Sequence, residues 1–240
     1  MARLLPLERF APIFEPLADY RIGMVDGVGN PGDRLLDSAA RQLMQAFGLK
    51  WKTINALADP PNQYADVDVV LLFGGGSGGG PPYCMEIRRR AVESGKPCIM
   101  LPQSFHAPED CRRYVRVYLR ESVSRNFCSD GIIAPDLALG YDFPDVAPPH
   151  LGEGVFLRHG GHAAFGDRAH DDPCDWCYTA EEYIALAAQY EHIVTDRLHL
   201  AVTALGIGRQ ATLLPVSYHK NRAMWEEWLR DMGCHWSESP

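Results

Sequence analysis

The stretch VDVVLLF, residues 67–73, carries one polar side chain in seven and ends abruptly in GGGSGGG, residues 74–80. A run this short and this apolar suits a strand buried on both faces, which requires a parallel sheet covered by helices. The neighbouring segments alternate in kind. Residues 20–26 (YRIGMVD) form another short apolar run, and 33–48 follow with Leu35, Ala39, Leu43 and Phe47 on one helical face. Residues 50–57 and 97–102 read as further strands, 83–95 as a helix, and 108–119 as a helix or mixed segment. Repeated strand-helix order specifies an α/β fold.

Residues 140–154 (GYDFPDVAPPHLGEG) gather three prolines and three glycines without periodicity, the composition of a linker. We place a boundary there. A first Rossmann-like domain is expected over 1–148 and a compact second one over 149–240, with the last helix placed to pack back on the first. The second half reads as a strand at 154–160, a loop to about Tyr178, and a helix opened by a capping box from Thr179 to Glu182. A strand at 192–195, a helix at 197–205, a strand at 211–217 and a helix at 221–233 complete it.

The net charge of −8 argues against a nucleic-acid surface but permits a local basic pocket. No apolar run approaches the ~20 residues that span a bilayer, and Glu8, Pro12, Glu15 and Pro16 interrupt the start of the chain. A cytoplasmic protein is expected, at most peripheral to a membrane. Leu4, Leu5, Phe10 and Phe14 could serve such a contact or pack on the second domain. The cysteines at 84, 98, 111, 128, 174, 177 and 234 lack a dense framework, and several sit in apolar stretches where they read as small buried hydrophobes, which suits a reducing compartment. Cys174 and Cys177, near His162 and His170, make only half of a zinc pattern, so no metal is assigned.

Three polar or glycine-rich segments follow strands in the first half. GVGNPG (27–32) fits the dinucleotide spacing, but the acidic residue that should end the next strand is replaced by Asn55, with Asp59 lying beyond it. A tight turn in which Asp33 caps the following helix is the simpler reading. In GGGSGGG, residues Gly75, Gly76 and Ser77 would leave backbone amides open to a ligand at a sheet edge. PQSFHAP (102–108) supplies Gln103, Ser104 and His106 at the corresponding end of another strand.

The second half concentrates cations. If Thr195 or Asp196 caps the helix that follows, Arg197 and His199 lie in its first turn, where free amides and the helix dipole favour an anion. Arginine adds a planar fork for carboxylate or phosphate, and histidine is the side chain whose charge changes near neutrality. Arg158 ends one strand, and Tyr218 and Lys220 end another, so a parallel sheet would gather Arg158, Arg197, His199 and Lys220 at one edge. That cluster suits a small, highly charged anion.

The blocks GNPGD (29–33), GGGSGGG, PQSF, RES (120–122), APDLAL (134–139) and above all TDRLHLAVTALGIG (195–208) followed by SYHK (217–220) resemble the polysaccharide pyruvyl transferases. The resemblance covers nearly the whole chain. It implies two Rossmann-like parallel-sheet domains facing across a cleft, as in the GT-B glycosyltransferases. It also implies phosphoenolpyruvate as co-substrate with no cofactor, a polysaccharide or lipid-linked saccharide acceptor, and a cyclic pyruvate ketal with phosphate as products. Arg197 and His199 carry over as catalytic residues, with Arg158, Arg197, His199, Lys220 and Tyr218 around the donor. Asn30, Asp33, Gly75, Gly76, Ser77, Gln103 and Ser104 fall to the acceptor side or its loops. The stretch RHGGHAAFGD (158–167) lacks the acidic residue that the family often carries soon after this arginine, which brings His159 and His162 into consideration. A nucleotide-sugar glycosyltransferase of the same fold and a non-catalytic saccharide- or anion-binding module are the alternatives.

Overall fold

The computed structural model describes residues 3–27, 29–55, 61–165 and 171–240. The strands are β1 (Arg21–Val25), β2 (Lys50–Ile54), β3 (Val69–Leu72), β4 (Gly75–Gly78), β5 (Cys98–Phe105), β6 (Arg116–Leu119), β7 (Ile132–Ile133), β8 (Leu151–Phe156), β9 (Tyr190–Thr195), β10 (Gln210–Leu213) and β11 (His235–Trp236). The helices are α1 (Ala11–Phe14), α2 (Pro31–Ala46), α3 (Pro82–Glu93), α4 (Ala180–Ala188), α5 (Leu198–Gly206) and α6 (Lys220–Met224). They build two sheets, and every strand pairing is parallel. The first runs β2-β1-β3-β5-β6-β7 with β4 beside β5, and the second runs β11-β10-β9-β8.

Local chemistry sets the helix starts. Asn30, not Asp33, is the N-cap of α2: it accepts from the Gly32 N–H at 2.9 Å while the Asp33 carboxylate, three residues on, accepts from the Asn30 N–H at 3.0 Å, and Pro31 fixes the first turn. Thr179 and Glu182 make the same reciprocal pair at α4. Neither Thr195 nor Asp196 caps α5. Arg197 itself is the N-cap residue, and the Thr195 hydroxyl accepts from its N–H at 3.0 Å.

Residues 108–119 take the mixed form, a 3-10 turn at Cys111–Arg113 and strand β6, because Val117 and Tyr118 bury as β-formers beside β5. Two expectations are corrected. The glycine run is no open turn throughout: Gly75–Gly78 pairs with β5 as β4. Cys111 and Cys128 are joined as a disulfide instead of packing as separate thiols, whereas the other five cysteines are free.

One apolar core runs through both halves. Phe10 and Phe14 are fully buried in it together with Leu43, Tyr183, Leu200 and Leu229, and Leu4 and Leu5 pack against its edge. Each buried phenylalanine contributes about 1.5–3 kcal/mol, so the apolar start of the chain is held inside. Gly206 of α5 lies where a Cβ would come within 2.3 Å of the Phe143 ring, so the second half fits closely against the linker. The chain after α6 also reaches the first sheet: Trp228 Nε1 donates to the Arg120 carbonyl at 2.6 Å, and Glu227 accepts from the Ser122 N–H at 3.3 Å. Among the described residues, no helix is long and apolar enough to cross a membrane.

Candidate active site

Both sheets present their carboxyl ends to one cavity of about 300 Å³, at the small end of ligand sites. Its lining follows from the strand order. Asn30, Gly32 and Asp33 come from the turn after β1, Gly74, Gly76 and Ser77 from the run after β3, His106 from beyond β5 and Arg120 from the end of β6. From the other side come Arg158 after β8, Arg197 and His199 after β9, and Tyr218 and Lys220 after β10.

Arg120 and His199 of this wall meet on a buried carboxylate. Arg120 Nη1 donates to Asp136 Oδ2 at 2.7 Å, and His199 Nε2 stands 3.3 Å from the same oxygen. Arg120 and Asp136 have no exposed surface, and His199 is 9 % exposed. Burial would raise the Asp136 carboxyl, but the charges and hydrogen bonds of His199 and Arg120 outweigh it and hold the group below the usual carboxylate range. An ionised Asp136 can only accept, which assigns the Nε2 hydrogen to the imidazole and leaves Nδ1 for other chemistry. Arg120 also donates from Nε to the Ser104 hydroxyl at 2.7 Å, while its buried Nη2 has no hydrogen-bond partner. That free donor belongs to a side chain of the cavity wall.

The second-half cations are held differently from one another. Arg197 forks onto Asp172, through Nε at 3.0 Å and through Nη2, and this pairing overcomes burial to raise the guanidinium. Arg158 is looser. Its Nε lies 3.9 Å from Asp196 Oδ2 without a hydrogen bond, its Nη1 donates to the Gly161 carbonyl at 3.3 Å, and burial and then Arg197 push it below the ordinary arginine value. Lys220 Nζ lies 5.5 Å from the centre of the Tyr218 ring.

Two glycines permit this approach. A Cβ on Gly32 would come 2.7 Å from His199 Nδ1 and 2.9 Å from its Cβ, so only a glycine lets α2 lie against the imidazole. A Cβ on Gly76 would meet Arg120 Nη2 and the Tyr218 hydroxyl at 3.3 Å each. Gly32→Ala should therefore destabilise the protein by about 1–3 kcal/mol through overpacking. Denaturant unfolding would check it, and an unchanged midpoint would mean that the imidazole moves aside freely.

The residues expected at the site divide. Arg158, Arg197, His199, Tyr218 and Lys220 line the cavity, as do Asn30, Asp33, Gly76 and Ser77. Gly75 lies behind it in β4, packed by Leu36 and Asp33. Gln103 and Ser104 are a correction. Strand β5 continues to Phe105, so both are fully buried in the sheet, where Gln103 Nε2 donates to Ser77 Oγ at 2.9 Å and Ser104 accepts from Arg120. They support the wall and do not form it. Asp59 and His170 lie outside the described residues, and among those described no group of three or more His, Cys, Asp or Glu could hold a metal ion.

Arg120, Asp136 and Asp172 were not singled out from the sequence, although RES and APDLAL contain the first two. His162, with φ of 71°, and His106 meet the Tyr218 ring at 4.7 and 5.6 Å between centres, bridging the two halves. Burial lowers both imidazoles below the ordinary value.

The sequence matches the polysaccharide pyruvyl transferase family over residues 30–218, which spans most of the chain and every cavity-lining residue named above except Lys220. The chain belongs to that family. No curated protein matches it. Among solved structures, a functionally uncharacterised protein from Klebsiella pneumoniae is similar with a TM-score of 0.80 at 16% identity, covering 97% of this chain and 98% of that one. A UDP-GlcNAc 2-epimerase from Neisseria meningitidis is similar at 10% identity and a TM-score of 0.41, covering 80% of this chain and 82% of the other. This pyruvyl transferase family member is built on two parallel sheets, of seven and four strands, whose carboxyl ends meet at one cavity.

Proposed function

We propose that the protein transfers the enolpyruvyl group of phosphoenolpyruvate to two hydroxyls of one saccharide, forming a cyclic pyruvate ketal and releasing phosphate. The observation that carries this reading is the gathering of Arg120, Arg158, Arg197, Lys220 and His199 on one small cavity in a chain of net charge −8. Phosphoenolpyruvate presents a carboxylate and a phosphate on one carbon framework, and several cations in fixed geometry suit that pair. Arg158, with a guanidinium only loosely engaged, and Arg120, with a free Nη2, are the donors least committed to the protein. Arg197, held by Asp172, contributes a positioned charge, and Tyr218 belongs to the same wall.

The acceptor enters from the first-half wall of Asn30, Asp33, Gly76 and Ser77. Ketal formation requires a proton at the methylene carbon and removal of a proton from each attacking hydroxyl. His199 Nδ1 is the group we assign to proton transfer, with Asp136 holding the ring in place. The reaction so written needs no cofactor beyond the co-substrate, and a lipid-linked acceptor would be met at the cytoplasmic face of a membrane.

Calorimetric titration tests the donor. Phosphoenolpyruvate should bind, whereas nicotinamide dinucleotides and UDP-sugars should not. Arg158→Ala and Arg197→Ala should each lose about 1.5–3 kcal/mol of affinity, the worth of a hydrogen bond to a charged group. A clear signal from a nucleotide with none from phosphoenolpyruvate would replace this reading with nucleotide-sugar chemistry.

A further inference from the structure

Each guanidinium on the cavity has a carboxylate beside it: Asp136 for Arg120, Asp172 for Arg197 and, at 3.9 Å, Asp196 for Arg158. Lys220 has no ion pair among the described residues. It is 8 % exposed, it opens α6, and its Nζ faces the edge of the cavity shared with Tyr218.

The charges around the amine are mostly positive. Arg158 follows β8, Arg197 follows β9 and Arg120 ends β6, while His106 and His162 are close enough to feel the lysine in turn. From α2 comes Asp33, a carboxylate that favours the charged form, and it already accepts the Asn30 N–H. Burial first, then Arg158 and Arg120, drive the amine well below its ordinary value. A fourth positive charge beside three guanidinia is unfavourable until a polyanion arrives to join them.

We propose that Lys220 stands as an uncharged amine in the ligand-free protein and becomes the ammonium that holds the donor's phosphate, so that binding a dianion carries a proton into the cavity. This rests on a phosphate-bearing donor, the reading given above, and adds to it that donor binding is coupled to proton uptake at one named nitrogen. Arginine could not do this, because it stays charged at every accessible pH.

The test is calorimetry of phosphoenolpyruvate binding to the full chain at about pH 8.5, in two phosphate-free buffers of different ionisation enthalpy. At that pH unperturbed histidines and phosphate groups have lost their protons and an ordinary lysine still keeps its own, near 10.4. The wild type should take up about one proton per donor bound. Lys220→Arg, permanently charged, and Lys220→Met, permanently neutral, should each bind with uptake near zero. Uptake that persists in both variants, or wild-type binding without uptake, overturns the proposal. Inorganic phosphate serves as the second probe. If it binds with uptake that both variants abolish while phosphoenolpyruvate does not bind, the donor reading falls and the assignment of Lys220 stands; if neither anion binds, both fall.

Discussion

Asp136→Ala should lower the unfolding free energy by about 3–5 kcal/mol, the cost of leaving a buried charge without its partner. In a protein of this length that is a fall in Tm of roughly 6–20 °C. The reason is local. Arg120 has no exposed surface, and its remaining hydrogen bond from the side chain goes to Ser104, which carries no charge. His199 would lose the carboxylate that orients it as well. The effect should depend on pH in a stated direction. The Asp136 carboxyl is held below its unfolded value, so its contribution is complete above about pH 4 and is lost as pH falls through the folded value. Wild type and variant should therefore converge in acid. Thermal unfolding across pH checks this, and a loss below about 1 kcal/mol at neutrality would mean that water reaches the pair.

His199→Ala should reduce turnover by about 10²–10⁴-fold, the usual worth of a placed acid or base. Donor affinity should change far less, because Arg120, Arg158 and Arg197 remain. Phosphate release from phosphoenolpyruvate in the presence of hexopyranosides, read beside calorimetry, separates the two quantities. Loss of binding in proportion to loss of turnover would make His199 an anion ligand only, and turnover within several-fold of wild type would remove it from the chemistry.

The contrast between Arg197 and Arg120 explains how far the site could be read in advance. Arg197 and His199 stand two residues apart after an apolar strand, so the period of the chain places both at a sheet edge. Arg120 also ends a strand, but β6 lies in a segment of mixed pattern, and nothing local distinguishes Arg120 from the neighbouring Arg112, Arg113 and Arg116. Its meaning comes from Asp136, 16 residues away, and from His199, 79 away. Gln103 and Ser104 show the opposite error. A polar pair at the end of an apolar strand resembles a ligand contact, yet β5 runs on to Phe105 and buries both.

By itself the sequence determined the local matters: parallel strands from apolar runs, a helix start from the Thr179 capping box, and the cations after β8, β9 and β10. These depend on side-chain period and on hydrogen bonds spanning a few residues, which are short-range physics. Only the tertiary structure decided which charges are neutralised. Asp172 claims Arg197, Asp136 claims Arg120, and Lys220 is left among cations. The energy of a buried charge depends on how much water is removed and on what stands within a few ångströms, and chain order specifies neither.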